Sequence, residues 1–377
     1  MRIGIEAQRI QRKKKHGMDI VAVEIIRQLQ LIDTENEYFL FVKPDVDKDV
    51  IEETVNFKIV ELPAKSYIDW ELIALPKAVR SLKIDLLHCT SNTAPRRINI
   101  PLIVTVHDII YLEKLHLKQG TWYQKLGNLY RRWNVPQAMK NASRIITVSR
   151  FEEANIRQRF PERSNDIYTV YNAASLEFRP IDSAGTLDEA RKRYNLPNNF
   201  LFFLGNTDPK KNVRNVLLAY ALYRENMVNA LELVMPDLNE KYLSDMLDDI
   251  GHTSLREHIF LTGYIPNKEL PLIYNLSQFF LYPSLRESFG IPILEAMQCG
   301  KAVITSTTSS MPEIADGAAL LVDPKDPRAI AHAIAHMHSD STYRKEMEQK
   351  GLERSRFFSW KKSAEQVLNH YKSLLHG

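Results

Sequence analysis

The sequence predicts an α/β fold built from two doubly wound domains, and three observations lead to this prediction. Short apolar runs alternate with longer segments of helical spacing along the 377 residues, as in chains that fold around parallel sheets. The length exceeds the roughly 100–200 residues of one domain. The alternation restarts after a polar stretch, Pro180–Pro197, which is typical of a linker followed by a first helix.

The first half contains five predicted strands and a helical pattern at Val21–Leu31. Two of the strands are near-continuous apolar runs, which is typical of strands buried on both faces of a parallel sheet. The predicted strands are Met1–Glu6, Tyr38–Val42, Asp85–His88, Leu102–His107 and Arg144–Val148.

The second half repeats this organisation from residue 181 onwards. Its predicted strands are Phe200–Leu204, Leu231–Met235, His258–Leu261, Phe279–Tyr282, Ala302–Thr305 and Ala319–Val322. Apolar spacing predicts a last helix at Trp360–Leu375. Because ligands of such sheets bind at the carboxyl ends of the strands, two facing domains predict a site in the cleft between them.

Composition excludes several classes of protein. Apolar residues make up 44% and charged residues 25%, which are globular values. Residues 1–180 carry 28 basic and 22 acidic residues, an excess too weak to indicate nucleic-acid binding. The two cysteines, Cys89 and Cys299, have no metal-site spacing. Without an apolar leader or an 18-residue apolar run, the chain is expected to be cytoplasmic.

The most informative segment is Pro283–Met297, which follows a predicted strand. Gly290 supplies a turn, and a proline two positions later suits the first turn of a helix. The backbone N–H groups of 289–291 would then form an anion site at the helix N-terminus. Glu287 precedes the turn and Glu295 lies in the helix. The alternative is that the first glutamate caps the turn and the second is solvated.

A second segment, Leu204–Asn212, joins a predicted strand to a predicted helix and contains the adjacent Lys210 and Lys211. Two ammonium groups in such a loop can neutralise a diphosphate. Cations are slightly unfavourable at a helix start, which favours a ligand role over a solvated pair. After another predicted strand, Gly263 lets a ligand approach the backbone.

Residues 283–306, PSLRESFGIPILEAMQCGKAVITS, resemble the paired-glutamate segment of glycosyltransferase family 4. These retaining enzymes have the GT-B fold, in which two Rossmann-like domains face a cleft and a C-terminal helix crosses back to the first domain. They take a sugar from a nucleotide donor. The resemblance implies that residues 1–180 with helix 360–377 bind the acceptor and that 181–359 bind the nucleotide sugar.

The resemblance also implies the residues of the donor site. Glu287 would contact hydroxyls of the transferred sugar, Glu295 would bind the ribose, and Lys210 and Lys211 would clamp the diphosphate in place of a metal ion. Many relatives carry arginine where this chain has Asn206, and others where it has Lys210. The further donor-binding residues implied are Gly205, Asn206, Gly263, Tyr264, Ile265, Ser288, Phe289, Gly290 and Ile291.

In the first half, His107 ends a predicted strand and resembles the family histidine that lies by the transferred sugar. With Glu287 and Lys211 it is a candidate catalytic residue, and a core histidine bonded to the backbone is the alternative. His88 and Gly17 are further acceptor-side candidates. A structural loop is an equal alternative for His88, and Gly17 matches the family's first-loop glycine only in outline.

Residues 118–140 mix aromatic and basic side chains, a composition that can bind an anionic membrane. An amphipathic helix with its aromatic residues inside is the favoured alternative. The sequence therefore leaves open whether the protein contacts the inner membrane face.

These observations and the resemblance together predict a metal-independent, retaining glycosyltransferase without a cofactor. It would move a hexose, with mannose favoured by analogy, from a GDP- or UDP-sugar to a polysaccharide or a lipid-linked oligosaccharide. A GT-B phosphorylase, a nucleotide-sugar epimerase and a non-catalytic sugar-nucleotide-binding protein are the alternatives.

Overall fold

The computed structural model describes residues 1–13, 15, 17–113 and 122–375. The chain forms two compact units, a first unit of Met1–Asn172 with Trp360–Gly377 and a second unit of Ala173–Ser359. The division falls at residue 172, whereas the sequence suggested 180. Residues 173–179 belong to the second unit because Phe178 is buried edge-on against the ring of Tyr274, at 5.9 Å between ring centroids.

Seven parallel strands, among the described residues of the first unit, form one sheet with all neighbours in parallel register. They are β1 (Arg2–Glu6), β2 (Glu37–Val42), β3 (Phe57–Glu61), β4 (Leu86–Cys89), β5 (Leu102–Thr105), β6 (Arg144–Thr147) and β7 (Ile167–Thr169). Their order in the sheet is β3-β2-β1-β4-β5-β6-β7. The sequence missed β3, where charged residues interrupt the apolar run, and β7, which has three residues.

Helices cover this sheet, and the last of them comes from the C-terminal end of the described chain. The helices are α1 (Gly17–Ile32), α2 (Tyr67–Asp69), α3 (Leu75–Ser81), α4 (Ile110–Glu113), α5 (Trp122–Asn141), α6 (Arg150–Arg159) and α15 (Trp360–Leu375). Helix α15 packs on α1 and buries Val367, Leu368 and Tyr371. The helix predicted from apolar spacing is therefore confirmed.

The second unit repeats the architecture with six parallel strands, all within its fully described range. The strands are β8 (Phe200–Phe203), β9 (Glu232–Met235), β10 (Ile259–Leu261), β11 (Phe280–Tyr282), β12 (Val303–Ser306) and β13 (Leu320–Val322). The helices are α7 (Ala184–Arg193), α8 (Val213–Glu225), α9 (Glu240–Ile250), α10 (Leu270–Leu276), α11 (Ile291–Gln298), α12 (Met311–Ala315), α13 (Pro327–Ser339) and α14 (Ser341–Ser355).

The strand order of the second unit, β10-β9-β8-β11-β12-β13, reverses direction between β8 and β11. At such a switch point the connections after neighbouring strands leave toward opposite sides and open a crevice at their carboxyl ends. The segments after β8 and β11 are the two that the sequence singled out, Leu204–Asn212 and Pro283–Met297. The topology thus brings the lysine loop and the paired-glutamate segment together.

Candidate functional site

The loop after β8 is held by its own polar side chains. Asp208 begins a 3₁₀ turn over Pro209–Lys211 and accepts a hydrogen bond from the backbone N–H of Lys210 at 3.1 Å. Asn212 follows in the left-handed region at φ 66° and precedes α8. Its buried side-chain amide donates to the carbonyl oxygen of Pro283 at 2.9 Å. This bond fixes the lysine loop to the segment after β11.

Lys211 is the centre of the site. Its Nζ donates to Glu287 Oε1 at 2.7 Å and to the hydroxyl of Tyr282 at 2.6 Å. Its side chain is 15% exposed and that of Glu287 12%. Lys210 is more exposed, at 41%, and its Nζ lies 3.7 Å from Asp208. The two predicted lysines therefore differ, since one is part of a partly buried ion pair and the other is more exposed to solvent.

Glu287 is held as a carboxylate. Burial alone would raise its pKa, but the charges of Lys211 and Lys210 and hydrogen bonds with Lys211 and Tyr282 outweigh burial and lower the pKa. Burial and the neighbouring Glu287 raise the pKa of Tyr282 well above its usual value, so this phenol keeps its proton. The cluster is a carboxylate, an ammonium and a neutral phenol in mutual contact.

The glycine turn before α11 forms where the sequence placed it. Gly290 has φ 101° and precedes the first helical residue, Ile291. That backbone conformation strains any residue with a side chain, and a Cβ would lie 3.1 Å from Ile293. Phe289 is buried and packs edge-on against Phe358 at 5.7 Å. Ser288 is half-buried in the same turn.

Hydroxyl groups after β12 support this turn, and the sequence analysis missed them. Ser309 Oγ accepts a bond from the backbone N–H of Glu287 at 3.1 Å. Ser310 Oγ lies within donating distance of two carbonyl oxygens, that of Glu287 at 3.0 Å and that of Phe289 at 2.8 Å. The signal that could have found them is a run of small hydroxyl residues, Ser306–Ser310, at the end of a strand beside β11.

Glu295 lies inside the unit, at 7% exposure. The alternative of a solvated helix residue is therefore wrong. Its Oε2 accepts a bond from the hydroxyl of Tyr274 at 3.0 Å. Burial raises the pKa of Glu295 to about 7, against smaller lowering effects of Tyr274 and Lys211. The predicted ribose contact stays a prediction.

The remaining residues predicted to bind the nucleotide-sugar donor differ in their exposure and bonding. Gly205 leaves no room for a side chain, because a Cβ would lie 2.4 Å from the ring of Phe203. Asn206 accepts a bond from the backbone of the same turn at 2.9 Å. Gly263 has φ 68° and is followed by Tyr264, 57% exposed, and Ile265, 5% exposed. Ile265 is therefore packed inside the unit.

In the first unit, His107 matches the alternative that the sequence left open. The ring is buried, and its Nε2 lies 2.9 Å from the carbonyl oxygen of Thr90. Burial lowers its pKa, so the ring is neutral near pH 7. The next residue, Asp108, caps the following turn by accepting a hydrogen bond from the N–H of Ile110. The catalytic role of His107 stays a prediction.

His88 is buried in the first unit. Its Nδ1 lies 2.7 Å from the hydroxyl of Tyr371 in α15, and its Nε2 lies 2.7 Å from Thr105 Oγ1. Both ring nitrogens are thus bonded inside the first unit, and burial lowers the pKa to about 3. His88 thus matches the structural alternative, and its acceptor-side role stays a prediction. Gly17 is the exposed first residue of α1.

The basic and aromatic stretch 118–140 is only partly described. Residues 118–121 and the side chains of 122–126 and 128 lie outside the described residues. Tyr130 is partly buried and donates to Glu71. Trp133 is 46% exposed, with the guanidinium of Arg96 4.6 Å from its ring. The expectation of inward-facing aromatic residues is met by Tyr130 and is wrong for Trp133.

Among the described residues there is no metal-ligand cluster, no disulfide and no membrane-spanning helix. No three His, Cys, Asp or Glu side chains among them lie together as metal ligands would. Both cysteines, Cys89 and Cys299, are free and buried. Within the described ranges, every helix is too short or too polar to span a bilayer.

Two family models match the chain, one over most of the first unit and the start of the second, and one within the second unit. The model described as Glycosyltransferase Family 4 matches residues 16–178. The model described as Glycosyl transferases group 1 matches residues 187–354, which contain the lysine loop and the paired glutamates.

Relatives and solved structures agree with these matches. The O-antigen chain mannosyltransferase B of Escherichia coli is 30% identical over 79% of this chain and 76% of its own length. The serotype-specific mannosyltransferase WbdA of Escherichia coli is 27% identical over 63% of this chain, but this chain spans only 29% of it. The crystal structure of Anabaena Alr3699/HepE in complex with UDP and glucose superposes with a TM-score of 0.75 at 17% identity, over 98% of this chain and 99% of that one. The GT-B fold predicted from the sequence is thereby confirmed.

Proposed function

Because this chain belongs to glycosyltransferase family 4, the group 1 glycosyltransferases, we propose that it transfers a hexose from a nucleotide diphosphate sugar to a glycan with retention of configuration. The proposed sugar is mannose and the nucleotide is GDP or UDP. The proposed acceptor is a growing polysaccharide or a lipid-linked oligosaccharide. The names of the Escherichia coli mannosyltransferases support the sugar, and the UDP bound to Alr3699/HepE supports a diphosphate leaving group.

The observation that carries this proposal is the Lys211–Glu287 pair at the switch point of the second sheet. Loss of a nucleoside diphosphate from the sugar leaves negative charge on the β-phosphate. A fixed ammonium group lowers the barrier, because it meets this charge without reorganisation. Lys211 is fixed in this way, since two hydrogen bonds hold its Nζ.

Glu287 and the turn after it supply the sugar-binding part of the proposed site. A carboxylate accepts hydrogen bonds from sugar hydroxyls, and the lowered pKa keeps Glu287 ionised at neutral pH. The N–H groups at the start of α11 can donate to sugar or phosphate oxygens. The ammonium of Lys211 and these N–H groups provide the positive charge that a metal ion provides elsewhere, so we propose a metal-independent reaction. We propose the first unit as the acceptor-binding part.

The function is tested by measuring release of nucleotide diphosphate from GDP-mannose, UDP-glucose and UDP-galactose by the purified protein. We expect the sugars of one nucleotide, GDP or UDP, to be cleaved slowly without acceptor. The same nucleotide sugar should raise the melting temperature of the protein, because a ligand that binds only the folded state stabilises it. NMR of the released or transferred sugar should show retention. EDTA should leave the rate unchanged.

Three results would contradict parts of this proposal. Inversion at the anomeric carbon would exclude the retaining reaction. EDTA inhibition that Mn²⁺ reverses would exclude metal independence. Absence of both cleavage and a thermal shift with every GDP- and UDP-sugar would exclude the donor class.

A further inference from the structure

Tyr282 is the last residue of β11 and lies beside the ion pair of Lys211 and Glu287. Its side chain is 1% exposed, and its ring stacks on Phe280 with 5.5 Å between centroids. Its carbonyl oxygen accepts a bond from Thr305 Oγ1 at 2.9 Å. Packing and backbone bonding therefore fix the position of its hydroxyl.

This hydroxyl accepts a hydrogen bond from Lys211 Nζ at 2.6 Å, and it is also hydrogen-bonded to the carboxylate of Glu287. A lysine ammonium has three N–H donors on a flexible four-carbon chain. Tyr282 and Glu287 accept two of them, and no other described residue is bonded to this Nζ. Two fixed acceptors determine the direction of the third N–H, whereas Glu287 alone would let the ammonium turn about a single bond.

We propose that Tyr282 is a positioning residue, whose hydroxyl holds Lys211 so that its third N–H points to the donor diphosphate while the ion pair with Glu287 stays intact. This inference rests on the proposed function, since it names a further residue of the same site. It also means that donor binding does not require the ion pair to open.

We expect loss of the Tyr282 hydroxyl to lower turnover more than it weakens binding of the donor. Charge on the β-phosphate grows as the bond to the sugar breaks, so an ammonium of fixed direction is most useful in the transition state. A lysine that can turn still neutralises part of the diphosphate in the ground state. Loss of the Tyr282 hydroxyl should therefore lower kcat and change KM little.

Tyr282→Phe tests the proposal, because it removes only the hydroxyl. The matched control is Tyr220→Phe, which removes another buried hydroxyl of the second unit, bonded to the carbonyl oxygens of Leu231 at 3.0 Å and His258 at 3.1 Å. We expect Tyr282→Phe to lower kcat for donor cleavage roughly 10–100-fold, as for a lost bond to a charged group. Its KM for the donor should stay within about threefold, and Tyr220→Phe should leave kcat within about twofold.

A second comparison is made in the Lys211→Met background. With no ammonium left to direct, Tyr282→Phe should cause a much smaller loss of kcat than in the wild-type background, because only its hydrogen bond with Glu287 remains to be removed. An equal loss in both backgrounds would assign Tyr282 a purely structural role and overturn the proposal. So would a Tyr282→Phe enzyme with unchanged kcat, or one in which only KM rises. An inactive wild-type protein would instead contradict the proposed function.

Discussion

The two glutamates of the segment 283–297 lie eight positions apart and have opposite electrostatic surroundings. Glu287 faces the ammonium of Lys211, which lowers its pKa against the effect of burial. Glu295 faces the phenol of Tyr274, and burial raises its pKa to about 7. A pair of carboxyl groups whose pKa values are pushed apart is typical of sites in which the two have different roles.

At the residue scale, Lys211→Ala and Glu287→Ala should each lower turnover by about 100–1000-fold, as loss of a transition-state donor does in comparable sites. Each single variant should also lose stability, because it leaves the partner's charge partly buried and unpaired. The double variant Lys211→Met/Glu287→Gln should regain stability and stay inactive. Turnover and urea midpoints measure the two effects.

The control for these variants is Lys241→Ala, which breaks an exposed ion pair with Asp245 on α9. Such pairs contribute little to stability, so neither quantity should change. Near-wild-type transfer by both single variants would show that the site is assigned wrongly.

Glu295 gives a pH-dependent prediction. Because its pKa is about 7 in the fold and near 4.5 when unfolded, the folded state holds the proton more tightly. Its contribution is fully present below about pH 4.5 and is lost as pH rises to about 7. At 1.36 kcal/mol per pKa unit, the loss approaches about 3 kcal/mol. Glu295→Gln should therefore be more stable than wild type at pH 8 and equally stable at pH 4.

Urea unfolding from pH 4 to pH 8 checks this prediction. The groups that face Glu295 are the hydroxyls of Tyr274 and Tyr282, the ammonium of Lys211 and the thiol of Cys299. The control is Glu240→Gln at an exposed position, which should not gain stability at pH 8. Parallel pH profiles for wild type and Glu295→Gln would contradict the assignment.

The sequence pattern indicated Lys211 and Glu287, the two charged residues of the ion pair, but not the residues that hold them in place. Lys211 and Glu287 stand out because an ion in a loop between a strand and a helix needs a partner. Tyr282 ends an apolar strand and is indistinguishable by pattern from a core residue. Asn212 and Ser310 bond to backbone groups of distant loops, and only the strand order brings those groups together.

At the element scale, the turn before α11 depends on the loop after β12. Ser310→Ala should lower stability by about 1–3 kcal/mol, because two buried carbonyl oxygens lose their donor. It should also lower kcat, because the N–H groups of Phe289 and Gly290 are then held less firmly. Ser355→Ala, which removes a buried hydroxyl bonded to Leu352 in α14, is the control for stability without an effect on kcat.

Denaturation midpoints and donor-cleavage rates of the two serine variants separate these effects. If Ser310→Ala loses stability but keeps its rate within about twofold, the loop after β12 supports the fold and not the site.

The strands β3 and β7 illustrate the limit of prediction at this scale. Their pairing with longer neighbours, and not their own pattern, makes them strands.

At the scale of the whole molecule, the sequence predicted the architecture because each unit repeats one local pattern. Buried parallel strands alternate with helices, and the right-handed crossover rule leaves few ways to arrange them. The division between the units was less accurate, at 180 instead of 172, because the buried Phe178 belongs to the second unit although it precedes the polar stretch Pro180–Pro197. The few buried residues of segment 173–179, Ala173, Ala174 and Phe178, are too short a series to show a periodicity.

The first unit is completed by a helix that the ribosome makes after the whole of the second unit. All of residues 173–359 lie between Asn172 and Trp360, so the nascent first unit waits for α15 during roughly 10–40 s of translation at about 5–20 residues per second. Until then the face of α1 that α15 covers is open, and His88 lacks the hydroxyl of Tyr371. The second unit is continuous in sequence and can fold first. The order of folding in the cell is therefore expected to run opposite to the order of the domains along the chain.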